Sequence, residues 1–330
     1  MASFDVKRMQ VQGRIALDQA SYPARKLIMI HSGVSIGMGL LLSVLSYLLD
    51  MGISQTGGLG GIGARTILET VQSLFQTANM ILLPFWSIGY IRVILHWTRR
   101  EDADPTTLFF GFRCLGPVMR LLFLQGGLYV FLGMVGAYAG AAVFMMTPGA
   151  QPLYAVMQEL TAAGITDPYE LMENEAYVSA SMAMAPYMVG AAALIIVPVA
   201  YRLRFAEYAL MDQPRQGALR SMVQSVRMTR KNCWRLLKLD LHFWWFYLAE
   251  GLIAALGYGD MLLSMFGISL NMNADVTMFA FYVTALLCEF VLYVWKKNEV
   301  FSVYALAYDQ LNAPREEMPK PQPKNVPWSY

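Results

Sequence analysis

Charge is what this sequence has least of. Asp, Glu, Lys and Arg make up 15% of its 330 residues, against roughly 25% in a soluble domain. Hydrophobic residues reach 56% and fall into blocks that a soluble core would interrupt, which argues against an ordinary soluble enzyme. Cysteine is nearly absent. Cys114, Cys233 and Cys288 are odd in number and form no C-x-x-C pair, so neither a disulfide framework nor a redox or zinc site is expected. His31, His96 and His242 show no metal-ligand spacing, and no cofactor is implied. No phosphate-binding loop follows a strand, and the basic residues lie where a membrane already explains them, so nucleic acid is not an expected partner. The opening residues lack the short apolar core and small-residue cleavage site of a secretory signal, so the first apolar run is expected to be a permanent span.

What is present is a set of six apolar runs, at about 27–49, 70–97, 119–146, 181–201, 241–256 and 276–295. A helix needs roughly 20 residues to cross the hydrocarbon, so these predict an all-α polytopic bundle of about six spans. The charges sort accordingly. Arg and Lys cluster before the first run (Lys7, Arg8, Arg14, Arg25, Lys26), after the second (Arg99, Arg100, Arg113, Arg120), between Arg202 and Lys238, and after the sixth (Lys296, Lys297, Arg315, Lys320, Lys324). The three intervening loops hold Arg65 as their one basic residue, with Asp50, Glu69, Glu159, Asp167, Glu170, Glu173, Glu175, Asp260 and Asp275. Basic residues stay on the cytoplasmic side, so both termini are expected there, in the plasma membrane of a bacterium. Residues 1–312 read as a single membrane domain, and the Pro-rich residues 313–330 as a disordered cytoplasmic tail.

Interfacial amphipathic helices complete the plan. Phe4, Arg8, Val11 and Ile15 would share one face of a helix lying on the membrane, and Asp104 before Pro105 reads as the capped start of another, near 105–112. Between Gly217 and Arg235, Leu219, Met222, Val223 and Val226 form an apolar stripe. Arg220, Arg227, Arg230 and Lys231 are candidate contacts for lipid headgroups, anionic ones included; a plain topological anchor would need the same charges.

Two acids stand well inside apolar runs, Glu250 and Glu289. A carboxylate at that depth costs several kcal/mol unless it is neutral or paired, so both should face the bundle interior. They form a candidate intramembrane polar site, responsive to protons or ions; the plainer reading is hydrogen bonding to Tyr247, Tyr293 or an arginine ending the fourth run. Other motifs are weaker. Gly33–Val34–Ser35–Ile36–Gly37 matches G-x-S-x-G, with His31 four residues before Ser35, but a continuous helix lacks the strained elbow that motif requires. Gly33 with Gly37 is expected to pack, and His31 to sit at the water boundary. Gly58 to Gly63 matches G-x-G-x-x-G without a preceding strand, and reads as a loop. Gly126, Gly133, Gly136 and Gly140 would form a smooth contact stripe.

The segment GALRSMVQSVRMTRKNCWRLLKLDLHFWW, with Pro214 before it, carries Ala218–Leu219, Ser225, Met228, Arg230–Lys231 and Leu239–Asp240–Leu241. In these residues it resembles an uncharacterised bacterial integral membrane family, domain of unknown function 975. The likeness is clearest over about 195–310. It implies the architecture above and carries no activity. Two functional expectations follow from the residues: a non-catalytic scaffold or envelope-related protein, favoured because no reactive set converges, and a small-solute or ion transporter using Glu250 and Glu289.

Overall fold

The computed structural model describes residues 5–55, 61–165, 167, 170–171, 174–259 and 274–312, and these are all-helical. The expected loop at Gly58 and the tail 313–330 lie outside them. In chain order the helices are α1 (Val6–Asp18), α2 (Ala24–Gln55), α3 (Gly61–Thr98), α4 (Phe110–Arg113), α5 (Leu115–Met145), α6 (Gln151–Ala162) and α7 (Glu175–Met182). There follow α8 (Ala185–Leu203), α9 (Ala206–Asp212), α10 (Ala218–Thr229), α11 (Cys233–His242), α12 (Trp244–Gly257), α13 (Ala274–Leu292) and α14 (Asn298–Asn312). Among the described residues, four helical runs are long and apolar enough to cross a membrane: Met80–Thr98, Leu115–Met145, Ala185–Asp212 and Phe279–Asn312. That is fewer than the six expected. The fifth expected run is split at Phe243, and α12 has 14 residues, about 21 Å at 1.5 Å per residue and short of a bilayer core. In α2, many side chains beyond Leu41 lie outside the described set.

The long helices pair as hairpins, α2 with α3, α5 with α8 and α12 with α13, and α13 also packs on α2. Their outer faces are open and apolar, as at Phe123, Tyr138 and Leu194. The buried core lies elsewhere. It gathers the lower ends of the long helices with α1, α9 and α14: Met9, Leu27, Phe85, Trp97, Phe205, Met211, Phe243, Val303 and Tyr308 are all buried there. This layer coincides with the basic, cytoplasm-assigned segments. A second, smaller cluster of Phe144, Ala150 and Leu153 sits at the opposite ends.

Several local expectations change. In α1 the buried face is Met9, Gly13 and Ala16, while Val11 and Ile15 are exposed. The reason is close approach to α14: a Cβ on Gly13 would come 2.5 Å from Ser302 Oγ. The pair is fastened by Gln10 and Arg14, which both donate to Glu299. Asp104 does cap the next segment, accepting from the Thr107 amide in a reciprocal box, but the segment opens as a 3-10 turn, Pro105–Phe109, before α4. In α5, Gly136 and Gly140 touch the α8 backbone, with added Cβ atoms 2.4 Å from Ala192 Cα and 2.3 Å from Tyr187 O, whereas Gly126 faces open space. Gly33 and Gly37 meet nothing within 4 Å, so that packing face is not used within the described residues.

Candidate functional site

Glu250 and Glu289 belong to different helices of one hairpin, and both reach a single phenol. The Tyr293 hydroxyl lies within interaction range of both carboxylates. Tyr293 opens a π turn, Tyr293–Lys297, between α13 and α14. The wider winding of such a turn displaces side chains from their α-helical positions, and π turns recur at functional sites. Here it places Lys297 within electrostatic reach of both glutamates. The ammonium lies 3.9 Å from the Tyr293 ring centroid and 5.6 Å from those of Tyr90 and Phe301. Cation–π contact of this kind favours the charged form beside the aromatic faces.

A cavity of about 230 Å³ adjoins Glu250, lined by Arg204, Glu207, Tyr208, Tyr247, Phe301 and Tyr304 among others. That volume accommodates several water molecules. Glu289 does not line it. Arg204 is turned inward and saturated: Nη1 donates to both Asp240 oxygens at 2.6 and 2.7 Å, and Nη2 donates to Tyr247 Oη at 3.0 Å. Its guanidinium also lies 4.0 Å from the Tyr304 ring centroid, while Tyr304 donates to Asp240 at 2.5 Å. Glu207 has no ion pair or hydrogen bond among the described residues. With Arg204 neutralised by Asp240, three carboxylates (Glu207, Glu250, Glu289) stand against one ammonium, Lys297. The balance favours a proton or another cation over an anion.

Arg220, Arg227, Arg230 and Lys231 lie elsewhere, around a groove of about 950 Å³ between α10 and the end of α14. None of the four enters an ion pair among the described residues. The seat of α10 lies opposite the apolar stripe. Its buried residues are Ala218, Ser221, Ser225, Met228 and Thr229, while Leu219 and Val223 are 66% and 58% exposed. Hydrogen bonding explains the choice. The chain breaks between α8 and α9, leaving backbone groups without helical partners. Ser225 Oγ donates to Arg202 O at 2.7 Å and accepts from the Phe205 amide at 3.0 Å, and Thr229 adds a second bond to Arg202 O. Gly217, with φ at +80°, supplies the left-handed turn that starts α10.

The His31–Ser35 pair resolves otherwise than as a nucleophile. Ser35 Oγ donates to the His31 carbonyl, and the imidazole is 1% exposed rather than at the water boundary. The ring stacks on Trp86 with centroids 5.8 Å apart, and neither ring nitrogen has a partner among the described residues.

Sequence reasoning named Tyr293 as a partner for the buried acids but missed Lys297, Glu207 and the Arg204–Asp240 pair. Lys297 had been read as a member of the basic belt. Glu207 had been absorbed into the basic link, although its neighbours FAEYALM are apolar on both sides. No family model, curated protein or solved structure matches the chain.

Proposed function

We propose that the chain is a six-span protein of a bacterial cytoplasmic membrane, of the family resembled in its α9–α13 region, with both termini cytoplasmic. In this reading it acts without catalysis as a scaffold, through lipid and protein contacts on its basic face. The observation that carries the reading is where burial falls. The core lies in the layer of helix ends together with α1, α9 and α14, rather than between the long helices. Within that layer charges are matched: Arg99 with Asp212 and Asp309 and Arg204 with Asp240 in part-buried sites, and Arg14 with Glu299 at the surface. A rigid, charge-matched layer suits a docking platform, and the unmatched cations of α10 stand on its outside.

A second reading, small-solute or ion transport, is favoured by one feature: Glu250 and Glu289 share Tyr293 and Lys297 beside a cavity that also holds unpaired Glu207. Buried acids at such a place mark transport paths in other membrane proteins. One experiment separates the two. The purified chain is reconstituted into vesicles loaded with a pH-sensitive dye, and proton flux is followed under an imposed potassium diffusion potential. A scaffold leaves the flux at the level of protein-free vesicles. Flux above that level, abolished in Glu250→Gln and Glu289→Gln, overturns it in favour of transport.

A further inference from the structure

The outward side of α10 carries two adjacent rows. Arg220, Gln224 and Arg227 recur at i, i+4 and i+7, Leu219, Val223 and Val226 run beside them with the same spacing, and Arg230 and Lys231 follow in the turn that ends the helix. Such spacing stacks side chains along one helical face. Gln224 Nε2 donates to Asn312 Oδ1 at 2.7 Å, which fixes α10 to the end of α14 and closes the groove's second wall at Leu311 and Asn312. The groove therefore belongs to the folded layer and not to α10 alone.

Its chemistry is one-sided. Among the described residues, four cations and no carboxylate line it. The inner arginines of the same layer, Arg99 and Arg204, each have a carboxylate partner, so the unpaired state of these four is local to the groove. Beside them lie Leu219 and Val223, whose exposed area water solvates at a cost of roughly 25 cal/mol per Å². A free phosphate would satisfy the cations and leave that row wet. A phospholipid with an anionic headgroup supplies both a phosphate for the cations and an acyl chain for the apolar row. The location agrees, because α10 is seated across the break between α8 and α9, within the apolar run Ala185–Asp212.

We propose that this groove is a binding site for an anionic phospholipid, its headgroup phosphate held by Arg220, Arg227, Arg230 and Lys231 and its chain lying along Leu219 and Val223. The site deepens the scaffold reading by naming the lipid class, and it rests on that reading only for residence in a membrane. A basic residue near an anionic surface contributes roughly 1 kcal/mol, which is about fivefold in affinity.

The test uses the full chain in phosphatidylcholine nanodiscs titrated with phosphatidylglycerol, the bound lipid being counted by native mass spectrometry. Arg227→Gln with Lys231→Gln lowers phosphatidylglycerol affinity about 25-fold, from about fivefold per charge. Arg235→Gln with Lys238→Gln removes equal charge from exposed residues outside the groove and changes affinity less than twofold. Leu219→Gln with Val223→Gln, which keeps every charge and the buried seat, also weakens lipid retention, and inorganic pyrophosphate does not displace the lipid. Equal losses in the two charge-removal variants overturn the site and reduce the cations to a topological anchor. Displacement by pyrophosphate, with no effect of the apolar pair, overturns it in favour of a free-anion site. Neither result bears on the flux measurement, so the scaffold reading stands or falls separately.

Discussion

Arg99 is the residue whose removal the structure answers most clearly. It lies one position beyond the end of α3 and joins three helices. Nη1 donates to Asp212 at the end of α9 at 2.5 Å, and Nη2 donates to Asp309 on α14 at 2.7 Å. These bonds, the one to Asp212 first, push its pKa above the usual guanidinium value. The arginine is 28% exposed and the two carboxylates 12% and 29%. Changing Arg99→Met leaves two carboxylates facing each other in a partly dry site. Removing one partner of a fully buried pair costs about 3–5 kcal/mol, and an exposed pair is worth about 0–1 kcal/mol. A site about a quarter exposed falls between, so about 2–3 kcal/mol is expected. For a chain of this size that lowers the apparent melting temperature by about 3–4 °C, read by tryptophan fluorescence at a fixed scan rate. The cause is the two stranded charges, so adding Asp212→Asn and Asp309→Asn to Arg99→Met recovers most of the loss, with Tyr308 still bonded at position 212. A triple variant less stable than Arg99→Met alone would refute the reasoning, because it would mean the arginine acts through packing and not through charge.

Other outcomes follow from single contacts. Arg100 has φ at 60° and closes α3, with Glu101 N bonded to His96 O and Arg100 N to Trp97 O, an ending that favours glycine. Arg100→Gly is therefore stabilising by about 1 kcal/mol in the same thermal scan. Gly140→Leu forces α5 off the Tyr187 carbonyl and costs about 3 kcal/mol or lowers the folded yield, whereas Gly126→Leu, which meets nothing within 4 Å, stays within about 0.5 kcal/mol. For orientation, an exposed probe is required, and Arg215 is exposed. In a chain with Cys114, Cys233 and Cys288 changed to serine, Arg215→Cys reacts with a membrane-impermeant maleimide in inverted vesicles and not in intact cells. Reaction from outside intact cells would reverse the assigned sidedness.

How far the sequence reveals this molecule depends on which interactions set each feature. Helix type and the apolar runs follow from composition over long windows, which tertiary contacts seldom reverse. The faces of the short helices do not. For α10, hydrophobicity picked out the Leu219–Val223 stripe but gave no sign of the opposite face, where Ser225 and Thr229 are seated over two backbone groups that lack helical partners. The cost of leaving a buried amide or carbonyl unpaired outweighs the burial of two aliphatic side chains on a helix that water or lipid can reach. For α1, the deciding partner was Ser302, near the far end of the chain. Glu250 and Glu289 stand out in the sequence as acids inside apolar runs, yet their shared neighbours come from a π turn, for which YVWKK gives no local sign. Asp240 was read as part of a family-like Leu–Asp–Leu signature; its reason is the Arg204 guanidinium.

The clasp between α1 and α14 has a consequence for biosynthesis. Gln10 and Glu299 are 289 positions apart, so α1 waits for its partner through the synthesis of everything between them. Until α14 emerges, the Gly13 face that meets Ser302 stands open, and the contacts of α1 with α3 and α11 alone hold the segment. A nascent chain stalled short of Glu299 would display an unclasped α1 that a quality-control protease could recognise.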